Sequence, residues 1–319
     1  MDPVTHGLIG LGLSAFSGNP VALTNPVSIG CAIGAVVPDL DVVVKLTKND
    51  YEYIRKHRGV SHSIPALLGF AFVITIGLSY FFNDMNVLQV FLWSFFGGVS
   101  HTVFDMMNSY GARLLRRKRK ISLLTLYDPV IWSLTLFLIF NRYNDIVSNS
   151  IVGAIFFAYI GGRYLLRERA RRQIINHYHL DGLEDVTVLP GLKHFYKWDY
   201  IVRTGEHNIV GDYNNLTQRF KETNRFKKLD RALEELFHQS NIGKHFVDWS
   251  KNYHVFKVEE DNKIILRAVD LRYYFNNDFM HKASLEIDKT TNLIESFFHP
   301  YKLETRIPIE ETLLVSTLA

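Results

Sequence analysis

Long apolar runs fill the first half of the chain, and short alternating runs replace them in the second half. Four stretches are expected to be long and apolar enough to span a bilayer, which takes about 20 residues. They are residues 64–82, 87–107, 123–140 and 146–166. Two weaker stretches rich in Gly and Ala, residues 4–16 and 27–37, are expected to form a helical hairpin that packs against the spans through small residues. The first half is therefore predicted to be an α-helical membrane bundle of four to six helices, with six preferred.

The second half has the pattern of a soluble domain. Alternating polarity predicts strands at residues 186–189, 195–203, 263–274 and 282–287, and a turn at 288–292 precedes a returning strand at 293–298. Residues 215–224 could instead be helical, as could residues 225–239, where apolar residues recur at helical spacing. The chain is therefore predicted to have a transmembrane helical domain over residues 1–172 and an α+β domain, with one sheet and one or two helices, over residues 173–319.

Charge divides along the same line and sets the expected orientation. The net charge of +4 combines +7 in residues 1–172 with −3 in residues 173–319. Sixteen Lys and Arg residues follow the second, fourth and sixth helical stretches, whereas the opposite connections hold only Arg142. Because positive residues are retained in the cytoplasm, we expect a multi-pass protein of the cell membrane whose N-terminus and second domain are cytoplasmic.

Composition excludes several classes of protein. A mean hydropathy of +0.01 averages a membrane half with a soluble half, so a single soluble globule is excluded. Cys31 is the only cysteine, which excludes an intramolecular disulfide and a zinc site built from cysteines. The basic runs lie beside apolar spans, which favours contact with lipid head groups over the binding of nucleic acid.

Histidine and aspartate recur where the helical stretches of the first half begin or end. The residues concerned are Asp2, His6, Asp39, Asp41, His57, His62, His101 and Asp105. His101 and Asp105 are four residues apart inside an apolar run, so one helical face presents both. Ionisable groups within a membrane segment are functional candidates by default. Under the expected topology, alternately crossing helices bring all these groups to one depth on the cytoplasmic side.

Some of these residues have simpler explanations. Asp2 and Asp128 each precede a proline, which is typical of an N-cap followed by proline at the first helical position. Asp39 and Asp41 could be solvated interfacial residues, and His57 could be ordinary interfacial charge. For Asp2 and Asp128 we therefore expect a capping role.

Taken together, the histidines and aspartates have the chemistry of a metal site. Neutral imidazole and carboxylate are a common ligand set for zinc and other divalent transition metals, and a set of this size suits one ion or two. A bound metal lowers the pKa of its water to about 7. Arg58 could pair with a phosphate or stabilise developing negative charge, and Asn108 could orient a ligand. Zinc is the expected metal, with manganese as the alternative.

The ordered motifs MDPVTHG, PDLD, HRGVSHS and GGVSHTVFD resemble the signature of the YdjM/YfhP-type membrane-bound, metal-dependent hydrolases. The resemblance covers about residues 1–166, and the second half resembles the extension of the YfhP-like branch more weakly. This family is distantly similar to zinc-dependent phospholipase C and P1-type nucleases, which implies a helical, multinuclear zinc site and phosphoester hydrolysis. By this resemblance, the metal ligands are expected to be His6, Asp39, Asp41, His57, His62, His101 and Asp105.

The preferred hypothesis is an integral membrane hydrolase that acts on a lipid or lipid-linked phosphoester through metal-activated water at the cytoplasmic interface. Asp39 would be a ligand or base, with Arg58 and Asn108 as further site residues. One alternative is an ion or small-solute transporter, although transport sites usually lie near the midplane. The other is a regulatory scaffold with a structural metal site, whose second domain binds a protein partner.

The second domain offers no comparable cluster in its sequence. Its nine histidines form no recognisable metal motif. His245, His254, His281 and His299 are expected at the surface or as satisfied core residues. The aromatic residues of this domain are expected to be core material, and the sequence names no ligand for it.

Overall fold

The computed structural model describes residues 1–42, 60–109, 111, 120–141, 145–179, 181–191, 194–272, 274–275, 278–291, 293–300 and 302–311. These residues form two compact units that divide between Glu168 and Arg169. The division lies close to the boundary expected after residue 172. The first unit is helical, and the second contains the sheets.

Six α-helices form the described part of the first unit. They are α1 (Pro3–Leu13), α2 (Pro26–Val36), α3 (Ile64–Ser79), α4 (Val87–Met107), α5 (Pro129–Phe140) and α6 (Ile146–Tyr178). Three short 3-10 turns lie at Ser14–Ser17, Val37–Val42 and Val60–His62. Helix α6 continues past Glu168, so its last turns belong to the second unit.

Side-chain caps and prolines determine where these helices begin. The Asp2 carboxylate accepts a hydrogen bond from Thr5 N at 3.0 Å, and the Asp128 carboxylate accepts from Val130 N at 3.1 Å and from Ile131 N at 3.2 Å. Proline occupies the first turn of α1, α2, α3 and α5, where its missing N–H removes no helical hydrogen bond. The predicted capping roles of Asp2 and Asp128 are confirmed.

Among the residues that the structure describes, α4 and α6 are long and apolar enough to cross a membrane. Helices α3 and α5 are apolar but have 16 and 12 residues, fewer than the usual number of about 20. The predicted start of the fifth helix at residue 123 is wrong. Leu123 N and Leu124 N donate to Met107 O at 2.7 and 3.0 Å, and the helix begins only after its Asp128 cap. The sixth helix runs to Tyr178 instead of ending near residue 166.

Glycines bring the backbones of α2 and α4 into contact. A methyl group at Gly34 would lie 2.1 Å from Ser94 O, and one at Gly97 would lie 2.2 Å from Cys31 O. Helix α2 also packs against α1, and α3 packs against α4. The predicted close packing through small residues is confirmed, and it fixes α4, which carries His101 and Asp105.

The outer side of α3 is apolar. Leu68, Phe72, Val73 and Ile76 are between 41% and 66% exposed, and they follow one another along the helix. A contiguous apolar surface of this kind marks a membrane or protein interaction site.

The second unit contains two antiparallel sheets, a two-residue strand pair and two helices within the described ranges. The first sheet has the order β1 (Leu183–Pro190), β2 (Lys197–Thr204), β3 (His207–Asn214) and β4 (Arg219–Lys227). Helices α7 (Arg231–Gln239) and α8 (Asn241–Trp249) follow. The remaining strands are β5 (Tyr253–Glu260), β6 (Lys263–Asp270), β7 (Tyr274–Phe275), β8 (Asp278–Phe279), β9 (Lys282–Asp288), β10 (Ile294–His299) and β11 (Ile307–Ile309).

The second sheet has the order β11-β10-β9-β6-β5, and α7 and α8 cover one of its faces. Phe237, Ile242 and Phe246 pack there against Leu266 and Leu285. Because side chains alternate along a strand, the neighbours of these core residues on β6 and β9 point to the opposite face of the sheet. That opposite face is polar around Arg267, Ser284 and Glu286, whereas Phe256 and Val269 on it belong to a second apolar cluster.

The predicted strands at 186–189, 195–203, 282–287 and 293–298 are confirmed by β1, β2, β9 and β10, within two sheets instead of one. The strand predicted at 263–274 is confirmed as β6 but ends at Asp270. The predicted helix at 215–224 is wrong, because Arg219–Lys227 pairs with β3. Strand β4 is a largely exposed edge strand, so it lacks the apolar alternation that marks a half-buried strand. Helix α7 begins at Arg231, later than the predicted residue 225.

Buried histidines of the second unit have hydrogen-bond partners, as predicted. His254 Nδ1 lies 3.0 Å from Asn208 Nδ2, and His281 Nδ1 lies 2.7 Å from Pro300 O. Burial, with a smaller contribution from the Lys228 ammonium, lowers the pKa of His254 to about 4. His254 is therefore a neutral core residue at physiological pH.

Candidate metal centre

Helix α4 presents His101 and Asp105 on one buried face. The two residues are 1% and 0% exposed. His101 Nδ1 lies 2.7 Å from the backbone oxygen of Ala35 at the end of α2. A carbonyl oxygen only accepts, so Nδ1 carries the proton and Nε2 is left with a lone pair. A histidine held in this way is typical of metal ligands.

His62 meets His101 from the 3-10 turn that precedes α3. The Nε2 atoms of the two rings are 3.1 Å apart, and His62 is 0% exposed. His62 Nδ1 lies 3.0 Å from Ser61 Oγ. Two ring nitrogens at this distance either share a proton or both face a cation.

Two carboxylates point at the same pair of nitrogens. Asp39, on the 3-10 turn after α2, places Oδ1 3.5 Å from His101 Nε2. Asp105 places Oδ2 3.5 Å from His62 Nε2 and 3.7 Å from His101 Nε2. The Asp39 Oδ1 atom is buried and accepts no hydrogen bond from any residue that the structure describes. One ligand atom from each of the four residues lies within 4.8 Å of all the others.

These separations fit a metal ion. Ligand atoms about 2.0–2.1 Å from a tetrahedral zinc ion are about 3.3 Å from one another. Four of the six separations, from 3.1 to 3.7 Å, surround that value, and all six are within 4.8 Å. Two imidazole nitrogens and two carboxylate oxygens are also a donor set that zinc and related divalent metals accept. The cluster can therefore bind a divalent metal ion.

Further groups surround Asp105. His6, on α1, stacks its ring on that of His101 with centroids 3.8 Å apart and places Nε2 3.3 Å from Asp105 Oδ1. Asn108 Nδ2 and the Met1 α-amine donate to the same oxygen at 3.1 and 2.8 Å. These donors hold Asp105 in one orientation, with Oδ2 toward the histidines.

The structure brings together five of the seven residues expected to bind metal: His6, Asp39, His62, His101 and Asp105. Asp41 lies in the same 3-10 turn as Asp39, but its side chain lies outside the described residues. His57 and the expected phosphate-binding Arg58 also lie outside them. Asn108 lies beside Asp105, as described above.

Sequence reasoning missed two contacts of this cluster. The Ala35 carbonyl orients His101, and the Met1 amine contacts Asp105. Both are backbone groups, and only their neighbours in the sequence could have signalled them. The small residues of α2 were such a signal, because they let α4 approach the end of that helix.

Comparison with known proteins assigns the chain to a family. The family described as YdjM inner membrane protein matches residues 1–170, which contain every residue of the cluster. The chain belongs to the YdjM family. A second match, to the YfhP C-terminal alpha/beta plait domain, covers residues 233–307, from α7 to the start of β11.

One relative matches the chain over both of its units. The protein YfhP of Bacillus subtilis (strain 168) is 26% identical over 330 residues, which is 97% of this chain and 99% of that protein. No solved structure matches the chain. The resemblance to YdjM and YfhP proteins drawn from the sequence motifs is confirmed.

Proposed function

We propose that this protein is an integral membrane hydrolase that uses a divalent metal ion held by Asp39, His62, His101 and Asp105. Zinc is the preferred metal and manganese the alternative. The observation that carries the proposal is the convergence of two histidine nitrogens and two carboxylate oxygens at the spacing of metal ligands. His6 lies against this set, and with Asp41 and His57 it would enlarge the site for a second ion.

We propose a multi-pass arrangement in which the six helices lie in the membrane with the N-terminus and the second unit in the cytoplasm. The charge difference between alternate connections supports it, because sixteen Lys and Arg residues lie on one side and Arg142 on the other. Membership of an inner membrane protein family and the apolar outer face of α3 agree with it.

The proposed substrate is a lipid or lipid-linked phosphoester. The ligand-bearing residues lie at ends of apolar helices, which in the proposed arrangement is the depth of a lipid head group. The basic residues near these ends would attract an anionic group, and Arg58 would pair with the phosphate.

The residues of the proposed site would have different roles in hydrolysis. A divalent metal ion acts as a Lewis acid and lowers the pKa of water that it contacts. Asp39, whose Oδ1 accepts no hydrogen bond from the described residues, would serve either as a metal ligand or as the base that takes a proton from the attacking water. Asn108 keeps Asp105 in its orientation, and Arg58 would stabilise the charge that develops on phosphate.

The first test is metal content. The protein is purified in detergent as wild type and as Asp105→Asn, which keeps the size and removes the charge of the side chain. We expect one or two equivalents of zinc or manganese in the wild type and a loss of most of that metal in the variant, measured by elemental analysis.

The matched control is Asp128→Asn. Asp128 is a buried carboxylate in the same unit that caps α5 and lies outside the metal cluster. It should keep the metal content of the wild type. A wild-type protein that stays empty after incubation with zinc and with manganese, or an Asp105→Asn variant that keeps its full metal content, contradicts the proposal.

A structural metal site in a membrane scaffold is the second candidate. Its support is the burial of the cluster, since His62, His101 and Asp105 are at most 1% exposed and closed four-ligand sites are typically structural. Release of head groups or phosphate from phospholipids in mixed micelles separates the two functions. Metal-dependent release that Asp105→Asn abolishes supports the hydrolase, whereas metal without any release supports the scaffold.

A further inference from the structure

The face of the second sheet opposite α7 and α8 carries a cavity of about 200 Å³. It lies within the second unit, between β6, β9, β10 and the segment that follows β10. Its volume is below the range of roughly 300–1,000 Å³ that is usual for drug-sized ligands. The cavity therefore suits a small polar group.

Arg267, on β6, lines this cavity and is the first sign of a ligand. Its Nε atom is buried, and the guanidinium makes no hydrogen bond or ion pair with any residue in the described ranges. A buried N–H without an acceptor costs free energy. The fork of N–H groups on an arginine matches the oxygens of a phosphate or carboxylate.

Two further cations line the same cavity and share one carboxylate. Lys263 Nζ lies 3.2 Å from Glu286 Oε2, and Arg306 Nη2 lies 2.7 Å from Glu286 Oε1. Arg306 also lies over the Phe297 ring, with its guanidinium carbon 3.8 Å from the centroid. Glu286 therefore pairs with two of the three cations, and Glu260 is the second acid of the lining. Three cationic side chains outnumber two carboxylates by one.

A serine and a histidine complete the wall without adding negative charge. His299 Nδ1 donates to Leu303 O at 2.9 Å, so Nε2 accepts from the Ser284 hydroxyl at 2.8 Å. Burial first, and then the Arg306 and Arg267 cations, lower the pKa of His299. These two bonds fasten the segment after β10 to the sheet, so the cavity has a fixed shape.

We propose that this cavity binds a phosphate monoester group, with the Arg267 guanidinium as its main contact and Lys263 and Arg306 as supporting cations. A phosphate oxygen accepts from the Arg267 guanidinium, and the negative charge of the group offsets the positive excess of the lining. The site is separate from the metal cluster and does not depend on the proposed hydrolase activity.

The test measures binding to the full-length protein in a neutral detergent by calorimetry. The probes are inorganic phosphate and glycerol 3-phosphate. Arg267→Gln removes the charge but no hydrogen bond to a described residue, so it should fold and should lose affinity at least about tenfold. Lys263→Gln, which leaves the Arg267 contact in place, should lose less and serves as a second variant.

The matched control is Arg203→Gln. Arg203 is a half-exposed arginine on β2, in the other sheet, that pairs with Asp185. It should bind both probes as the wild type does. Absence of binding up to millimolar phosphate and glycerol 3-phosphate, or affinity unchanged in both Arg267→Gln and Lys263→Gln, overturns the proposal.

A second arm identifies the source of the phosphate. The protein is placed in nanodiscs of phosphatidylcholine with or without phosphatidic acid, a lipid with a phosphate monoester head group. If phosphatidic acid weakens the binding of glycerol 3-phosphate, the natural ligand is a lipid head group. If binding is the same in both nanodiscs, the ligand is a soluble phosphate ester.

Discussion

Asp105 receives three donors on one carboxylate oxygen, from Met1, His6 and Asn108, while the other oxygen faces His62 and His101. A carboxylate held by several donors keeps its direction. This arrangement separates the two tasks of the residue, because one oxygen anchors it and the other remains directed at the ligand cluster.

Asp128 shows the same principle in a structural role. Besides capping α5, its carboxylate accepts a hydrogen bond from Tyr159 Oη at 2.6 Å. We expect Asp128→Ala to destabilise the protein by about 2–4 kcal/mol, because a cap is lost and a tyrosine hydroxyl loses its acceptor. Thermal unfolding in detergent measures the effect.

The control for this prediction is Asp145→Ala. The Asp145 carboxylate accepts from Ser148 N at 2.9 Å in the first turn of α6, but it is exposed to solvent. The melting temperature should fall less than for Asp128→Ala. An equal fall in the two variants would mean that the buried bond to Tyr159 contributes nothing.

Chemistry at the residue scale was accessible from the sequence wherever it depended on local spacing. His101 and Asp105 share a helical face because they are four residues apart, and Asp2 and Asp128 cap helices because each precedes a proline. The distances between His6, Asp39 and His62 depend on how separate segments pack. Motif order indicated that these residues belong together, but a sequence contains no such distances.

At the scale of elements, the contact between α2 and α4 positions the cluster. The same end of α2 supplies the Ala35 carbonyl that orients His101 and leads into the turn that carries Asp39. Gly34, which precedes Ala35 in α2, lies directly against the α4 backbone at Ser94. Any increase in the distance between the two helices therefore moves Asp39 away from His101 and Asp105.

We expect Gly34→Ala to reduce the metal content and the melting temperature, although it changes no ligand. A methyl group there would lie 2.1 Å from Ser94 O, so the helices must separate. The control is Gly69→Ala on α3, where the added methyl group meets no described atom within 4 Å and helix propensity improves slightly. Full metal content in Gly34→Ala would contradict the argument, with elemental analysis and thermal unfolding as the measurements.

Helices and strands could be predicted from the sequence where apolar residues recur at the spacing that buries one face of the element. The apolar helices and the half-buried strands of the second unit have such patterns. Strand β4 does not, because it is an exposed edge whose pairing with β3 decides its conformation. The fifth helix was predicted too long because apolar residues such as Leu123 continue before it, although their backbone bonds with the end of α4.

At the scale of the whole molecule, the proposed topology places the loop between α3 and α4 outside the cytoplasm and the second unit inside it. Cys31 is buried, which gives a low background for thiol labelling. We expect Asn83→Cys, at an exposed position of that loop, to react with a membrane-impermeant maleimide in intact cells. Lys251→Cys, exposed in the second unit, should react only after permeabilisation. The reverse pattern would invert the topology.

The spread of the cluster along the chain has a consequence for biosynthesis. Its residues leave the ribosome in the order His6, Asp39, His62, His101 and Asp105, and chains acquire structure from the N-terminus during synthesis. Asp105, whose carboxylate faces both His62 and His101, is thus synthesised last. The four residues of the candidate metal centre are complete before α5, α6 and both sheets have been translated, so a nascent chain that ends at Asp105 already contains all of them.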